Sequence, residues 1–185
     1  MKTEMIQINA FKKEDFRKWL HKNHLKESKV AVVVHKKHTG KGSPSHRELM
    51  EEAICFGWID TTIKRVDEDT FIRFFSKRTK NSRWSDNTLS YGKRLMAEGK
   101  MAEQGLQYYK EGLAKPTHDH GIPKNPNMPP ELKKALSKAN LLKKFESLAP
   151  STKRTHYRWL LRAKQQPTRD KRVKQIIKTI PKNEK

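Results

Sequence analysis

The sequence is poor in cysteine, in acidic residues and in long apolar runs. Cys55 is the only cysteine among 185 residues, so no internal disulfide can form, and its apolar neighbours predict a buried, inert thiol. No segment approaches the ~18 consecutive apolar residues of a membrane span. Residues 1–10 lack the apolar core of ~7 to 15 residues that a secretory signal contains. The sequence therefore predicts a cytoplasmic protein without an integral membrane segment.

Acidic residues are outnumbered two to one. The chain has 42 Lys and Arg against 20 Asp and Glu, a net charge of +22. Residues 116–185 hold 18 basic and five acidic residues, which is +13 of that charge. Such a surface attracts phosphate polymers, anionic lipid or acidic proteins, because cations near phosphates release condensed counterions. A solvated lysine-rich surface without any partner is the alternative interpretation.

Apolar periodicity predicts both strands and helices before residue 115. The β-branched run 30–34 predicts a central strand, and the alternation at Ile6, Ile8 and Ala10 predicts a short one. Two β-rich runs, 58–66 and 70–75, flank an acidic turn and predict a hairpin. The helical period of the remaining apolar residues predicts helices over 13–24, 45–56, 85–99 and 106–112.

The second half of the sequence has a different organisation. Residues 116–130 are rich in proline and predict a loop or hinge, and from 131 onward the apolar period is helical throughout. Ser151 and Thr168, each after a proline, are predicted N-caps of the last two helices. We therefore expect an α+β core over 1–115 with a small, mainly antiparallel sheet of three or four strands. An all-helical basic subdomain over 131–185 should follow the loop.

Several motifs stand in one order along the chain. They are the Trp19-Leu20 helix, Gly57-Trp58-Ile59-Asp60, the cluster of Arg78, Ser82, Trp84 and Ser85, Gly105-Leu106, and Trp159 before Ala163-Lys164. With these motifs the chain resembles the YdeI/OmpD-associated family, also called bacteriocin-protection proteins. The resemblance implies a link to the cell envelope and to antimicrobial-peptide resistance, but no firm reaction and no cofactor. The chain departs from the family pattern at Thr61, Lys77 and Thr88, where Gly, Pro and Asn are usual.

A cluster of aromatic and polar residues around the predicted hairpin is the first candidate site. Trp58 and Asp60 share a strand parity, which predicts one face for both and the opposite face for Ile59 and Ile63. An Asp–Arg pair in a Trp-lined recess would suit a flat ligand or a phosphate. In the alternative interpretation the tryptophans are core, Asp60 and Arg78 form a structural salt bridge, and the last serine caps a helix. The ligand-binding candidates are Trp58, Asp60, Arg78, Ser82, Trp84 and Ser85.

The basic C-terminal helices are the second candidate site. Val173, Ile176, Ile177 and Ile180 form one apolar stripe, which leaves the charged residues on the remaining surface. Basic side chains near aromatic ones suit contact with a nucleic-acid backbone and occasional base stacking. A solvated face and an amphipathic helix on anionic membrane remain alternatives. The polyanion-binding candidates are Lys153, Arg154, Arg158, Arg162, Lys164, Arg169, Arg172, Lys174 and Lys178.

Catalytic and metal-binding signals are weak in this sequence. There is no Gly-x-Ser-x-Gly, phosphate-binding loop or His-Glu-x-x-His motif, and His118-Asp119-His120 reads as a solvated turn in a Pro-rich loop. We expect a non-enzymatic protein without catalytic residues, metal or cofactor, and a monomer by default. Its partner should be nucleic acid or another polyanion. A small-molecule or enzymatic pocket and a stress or antimicrobial-peptide-resistance adaptor that meets an acidic protein are the alternatives.

Overall fold

The computed structural model describes residues 5–180. The chain divides into two compact units, one ending at Thr117 and the other beginning at His118. We call them unit 1 and unit 2. Unit 1 combines a sheet with helices, and the elements of unit 2 are helices. The predicted α+β class is confirmed, including the helical C-terminal part.

Unit 1 is built on a four-stranded sheet. The strands are β1 (Gln7–Asn9), β2 (Lys29–His35), β3 (Trp58–Arg65) and β4 (Thr70–Lys77), in the spatial order β1-β2-β4-β3. β1 pairs with β2 in parallel, and the other two pairings are antiparallel. The predicted hairpin is present as β3 and β4, joined by a turn in which Asp67 Oδ1 accepts hydrogen bonds from the backbone N–H groups of Asp69 and Thr70.

A β-bulge in β3 overturns one part of the sequence prediction. Asp60 pairs with Phe75, but the next pair is Ile63 with Arg73, so two residues of β3 oppose one residue of β4. Cross-strand partners point to the same face, and therefore Ile63 shares the face of Asp60. Strand parity had predicted opposite faces, because parity assumes an uninterrupted ladder.

The α-helices of unit 1 are α1 (Lys13–Asn23), α2 (His46–Cys55), α3 (Asp86–Ala97) and α4 (Glu103–Leu113). The start of α2 is fixed by a capping box, in which Ser45 Oγ accepts from the Glu48 N–H and the Glu48 carboxylate accepts from the Ser45 N–H. The core lies against the sheet face that carries Val30, Val32 and Val34. Phe16 and Leu20 of α1 are fully buried in it.

Two glycines of α4 allow close packing in unit 1. A Cβ on Gly105 would lie 2.1 Å from the backbone oxygen of Cys55, and one on Gly112 would lie 2.3 Å from the indole nitrogen of Trp84. Real Cβ atoms do not approach other atoms so closely. The sequence therefore needs glycine at both positions to bring α4 against the end of α2 and against Trp84.

Unit 2 contains α5 (Pro130–Lys138), α6 (Leu142–Glu146), α7 (Pro150–Leu161) and α8 (Gln166–Thr179). Their apolar faces form a separate core around Leu132, Leu136, Phe145, Leu160, Val173, Ile176 and Ile180. Over residues 5–180, none of the helices is long and apolar enough to cross a membrane.

The predicted N-caps of the last two helices are wrong. α7 begins at Pro150 with Ala149 as its N-cap, and α8 begins at Gln166 with Gln165 as its N-cap. Each helix has its proline in the first or second position, where the fixed φ suits a helix and the missing N–H has no partner to lose. The prolines therefore belong to the helices, and Ser151 and Thr168 lie inside the first turn.

Candidate functional sites

Trp58 lies in the core of unit 1 and has no exposed surface. Its ring makes an edge-to-face contact with Trp19, with 5.6 Å between ring centroids, and its indole N–H donates to the His24 carbonyl oxygen at 3.4 Å. A tryptophan with its polar group bonded inside the core offers no surface to a ligand.

Asp60 lies two residues after Trp58 in β3, is partly exposed and has two basic neighbours. Its Oδ2 is 3.0 Å from His46 Nε2 and 3.5 Å from Arg73 Nη1. Arg73 is buried, and the loss of hydration lowers its pKa while the charge of Asp60 opposes that effect. The ion-pair partner of Asp60 is thus Arg73 on the neighbouring strand, where the sequence had suggested Arg78.

Arg78 is a buried cation that stacks on a tryptophan. Arg78 is the residue after the end of β4 and is 2% exposed. Its guanidinium carbon lies 3.6 Å from the centroid of the Trp84 ring. Nη1 donates to the Arg83 carbonyl oxygen at 3.4 Å, while Nε is buried without a hydrogen-bond partner among the described residues. Burial lowers the pKa of Arg78 to about 10, so the group stays charged at neutral pH.

The recess beside Arg78 is small. It is lined by Arg78, Thr79, Ser82, Trp84, Tyr108, Glu111, Gly112 and Lys115, and its volume is about 10 Å³. Such a volume holds about one water molecule. Ser82 Oγ accepts from the Thr79 N–H at 3.0 Å, and Ser85 Oγ accepts from the Thr88 N–H at 3.2 Å as the N-cap of α3. Arg78, Ser82 and Trp84 meet at this recess, whereas Trp58, Asp60 and Ser85 do not line it.

In unit 2, two of the candidate arginines share one carboxylate. Arg158 Nη2 lies 2.6 Å from Asp119 Oδ2, and Arg162 Nε lies 2.6 Å from Asp119 Oδ1. The Asp119 side chain is 8% exposed. Hydrogen bonds from Arg162 and then Arg158 lower its pKa to about 2. This arrangement ties α7 to the segment that precedes α5.

Two further candidate arginines, Arg169 and Arg172, are also held within unit 2. Arg169 pairs with Glu131 of α5 and donates to the Ala163 carbonyl oxygen. Arg172 donates to the Trp159 carbonyl oxygen, and its guanidinium carbon lies 5.0 Å from the centroid of the Trp159 ring. Guanidinium forks suit such multiple contacts better than ammonium groups do, so arginine is the residue that holds these helices together.

The candidate lysines are less constrained. Lys153 donates to the Glu146 carbonyl oxygen at 2.7 Å, and the neighbouring candidate Arg154 donates to Asn125 Oδ1 at 3.2 Å. The side chains of Lys164, Lys174 and Lys178 are exposed and make no hydrogen bond or ion pair within residues 5–180. The same holds for Lys171, which is not among the polyanion-binding candidates predicted from the sequence.

A groove between α7 and α8 was not predicted from the sequence. Its volume is about 450 Å³, and it is lined by Thr155, His156, Trp159, Gln175, Ile176, Lys178 and Thr179. The spacing of the lining residues indicates such a groove, since residues 155, 156 and 159 share one face of α7. Residues 175, 176 and 179 likewise share one face of α8. The sequence had singled out three residues of this set for other reasons, namely Trp159 as part of a motif, Ile176 as part of an apolar stripe and Lys178 as a charge.

No group of three or more His, Cys, Asp and Glu in the described part of the chain is arranged to hold a metal ion. His118 and Asp119 lie at the start of unit 2, and the carboxylate of Asp119 is taken by the two arginines described above.

Comparison with known proteins divides the chain in the same two parts. Residues 8–108 match the model of the family described as Domain of unknown function (DUF8412). Residues 125–183 match the model of the family described as Bacteriocin-protection, YdeI or OmpD-Associated. The motifs named before residue 125, which suggested this second family, therefore all fall in the part that the first model covers.

Searches of curated proteins and of solved structures gave no match. The first family model covers more than half of the chain, and the second covers nearly all of unit 2. The chain therefore belongs to the DUF8412 family by residues 8–108, and the predicted resemblance to the YdeI or OmpD-associated, bacteriocin-protection family is confirmed for residues 125–183.

Proposed function

We propose that unit 2 binds the phosphate backbone of nucleic acid through exposed lysines of α8 and of the turn before it. The observation that carries this proposal is the set Lys164, Lys171, Lys174 and Lys178, whose ammonium groups have no acidic partner within the described residues. Asp170 is the one acidic residue between positions 150 and 180. Flexible ammonium groups on a surface with so little negative charge suit phosphate contact that is independent of base sequence.

The arginines of unit 2 support binding indirectly. Arg158, Arg162 and Arg169 are ion-paired, and Arg172 is held at Trp159. They fix α7 and α8, and so they position the lysines. Two guanidinium groups on one Asp119 carboxylate also leave a local surplus of positive charge, which adds to the field that attracts a polyanion.

Other candidate functions have weaker support. A small-molecule site at Arg78 would need a recess larger than about 10 Å³. Binding to anionic membrane would need exposed apolar anchors on α8, but Val173, Ile176 and Ile180 are buried in the core of unit 2. An adaptor that meets an acidic protein, in stress or antimicrobial-peptide resistance, would use the same lysines. We propose that the protein is cytoplasmic, where nucleic acid is available. We further propose that it is a monomer and not an enzyme.

The proposal is tested with a charge-matched pair of variants. In the first, Lys164, Lys171, Lys174 and Lys178 are changed to Gln; in the control, Lys133, Lys134, Lys138 and Lys143 of α5 and α6, which are also exposed, are changed to Gln. Fluorescence anisotropy with labelled single-stranded RNA, single-stranded DNA, duplex DNA and heparin would give the affinities. We expect the first variant to lose at least about tenfold more affinity for nucleic acid than the control, since the two have equal net charge. Equal losses in both variants would contradict a defined lysine surface.

A further inference from the structure

The groove between α7 and α8 combines an aromatic wall with polar edges. Trp159 is partly buried, packs on the core of unit 2 and lines the groove, and Arg172 stacks on its ring. Gln175 is exposed and makes no hydrogen bond within residues 5–180, so its amide has both donors and an acceptor to offer. The groove can therefore make a stacking contact and read the polar edge of a flat ring.

The hydroxyl groups of the groove add hydrogen-bond acceptors. Thr155 Oγ1 donates to the Ser151 carbonyl oxygen at 3.0 Å, and Thr179 Oγ1 donates to the Ile176 carbonyl oxygen at 2.7 Å. Each hydroxyl proton is thus used inside its own helix, while the oxygen lone pairs remain for a ligand donor. Burial lowers the pKa of His156, which leaves this wall uncharged at neutral pH. An uncharged wall suits a neutral ring better than an anion.

Positive charge lies at the rim of this groove. Lys178 lines it, and Lys174 lies one helical turn earlier on α8. A ligand whose flat neutral ring enters the groove and whose phosphates remain outside would match both the uncharged wall and the positively charged rim. The volume of about 450 Å³ lies within the range of about 300–1,000 Å³ that is usual for small-molecule sites.

We infer that this groove takes an unstacked base of single-stranded nucleic acid, with Trp159 as the stacking surface and Lys178 at the adjacent phosphate. This inference rests on the proposed function and narrows its ligand. A duplex hides the faces of its bases inside the stack, so unit 2 should prefer single strands to duplex. Heparin carries charge but no bases, so it should gain nothing from the groove.

The test compares two ligands of equal charge. A single-stranded oligonucleotide and the same backbone with abasic sites are titrated by anisotropy against the wild-type chain, Trp159→Leu and Gln175→Ala. We expect the wild type to bind the base-containing strand about tenfold tighter than the abasic strand. Trp159→Leu should remove most of that ratio, and Gln175→Ala, which changes an exposed side chain, should reduce it without unfolding risk.

Tryptophan fluorescence gives a second readout. Quenching by the base-containing strand should be seen in the wild type and be weaker in Trp159→Phe, because the other three tryptophans lie in unit 1. Heparin should cause no comparable quenching. Equal affinity of the wild type for both strands would overturn the groove as a base site while the lysine surface stands.

Loss of all binding in the four-lysine variant, together with an unchanged ratio in both groove variants, would also overturn the groove. Failure of the wild type to bind either strand would overturn the proposed function itself. Tighter binding to phosphatidylglycerol vesicles than to the base-containing strand would assign the groove to lipid and overturn a base ligand.

Discussion

The two units of this chain use charge in different ways. Unit 1 has 24 basic and 15 acidic residues, and its ion pairs are numerous; for example, Arg17 pairs with Glu52, and Glu51 accepts from Arg47 and Arg94. Unit 2 has 18 basic and five acidic residues. Asp119 and Glu131, two of its few acids, are taken by arginines. The difference teaches that a basic surface is best judged after the internal ion pairs are assigned.

Residue type separates the two roles in unit 2. Four arginines of unit 2, Arg158, Arg162, Arg169 and Arg172, form ion pairs or a ring contact. The lysines of α8 are exposed and have no partner among the described residues. Arginine binds a carboxylate with a planar fork, whereas a lysine keeps its hydration and its mobility. We therefore expect substitutions of arginine to change stability and substitutions of lysine to change binding.

The largest effect is expected from Gly105→Ala in unit 1. In an ordinary helix this change stabilises by about 1 kcal/mol, but here the new Cβ would meet the Cys55 carbonyl oxygen. We expect a loss of about 3 kcal/mol or more in the free energy of unfolding of unit 1, measured by chemical denaturation. The control is Gln107→Ala, an exposed position in the same helix, which should change stability by less than about 0.5 kcal/mol. A stabilised Gly105→Ala variant would contradict the packing of α4 on α2.

A second prediction uses Cys55 to observe unit 1 alone, since unit 2 has no cysteine. Burial raises the pKa of the Cys55 thiol to about 11, against 9.0 for a free thiol. The native protein should therefore react with a disulfide reagent at neutral pH at least about a hundredfold more slowly than the unfolded chain, because the thiolate is the reacting species. Equal reaction rates in native and unfolded protein would show that this end of α2 is open.

A third prediction concerns Asp119 in unit 2. Its pKa in the folded state is about 2, below the value of 3.8 for a free aspartate. The lowered pKa means that its stabilising effect is fully present above about pH 4 and is lost as the pH falls toward 2. Asp119→Asn should remove about 2 kcal/mol of stability at pH 7 and flatten the stability of unit 2 between pH 4 and 2.

The control for Asp119 is Asp170→Asn, because Asp170 is exposed and accepts only from Gln166 among the described groups. The stability of unit 2 would be measured by denaturation followed by Trp159 fluorescence. The chain for this measurement has Trp19, Trp58 and Trp84 changed to Phe, provided that it folds. If both substitutions had the same small effect, the shared carboxylate would not hold α7 in place.

The smallest effect on stability is expected from Lys174→Gln. The side chain is exposed and has no partner within residues 5–180, so the free energy of unfolding should change by less than about 0.5 kcal/mol. Affinity for single-stranded nucleic acid should nevertheless fall severalfold. A loss of stability like that of Asp119→Asn would contradict the division between arginine and lysine.

Local patterns predicted the elements well because they depend on near neighbours. The β-branched run 30–34 became the central strand, and the acidic turn 67–69 joined the hairpin. The bulge between Asp60 and Ile63 depends on the partner strand, which a single-strand pattern does not contain. The predicted N-caps of α7 and α8 were wrong because proline ends a helix at most positions but is favoured in the first turn, where it belongs to the helix.

The candidate sites were harder to predict because their partners are far away in sequence. Asp119 lies 39 and 43 residues from the arginines that bind it, and nothing local marks that pairing. The burial of Trp58 depends on Trp19 and His24, from another element. The groove between α7 and α8 requires two helices side by side, which the apolar stripe of each helix alone does not specify.

The most direct measurement is the salt dependence of binding to a single-stranded oligonucleotide. The affinity of the wild type should fall with salt at a log–log slope of about −3, since four lysines would each neutralise one phosphate. The slope should shrink toward zero when Lys164, Lys171, Lys174 and Lys178 become Gln, and it should remain near the wild-type value in the variant with four Gln on α5 and α6. A slope that is the same in both variants, or no binding near physiological salt, would contradict a lysine surface built for phosphate on unit 2.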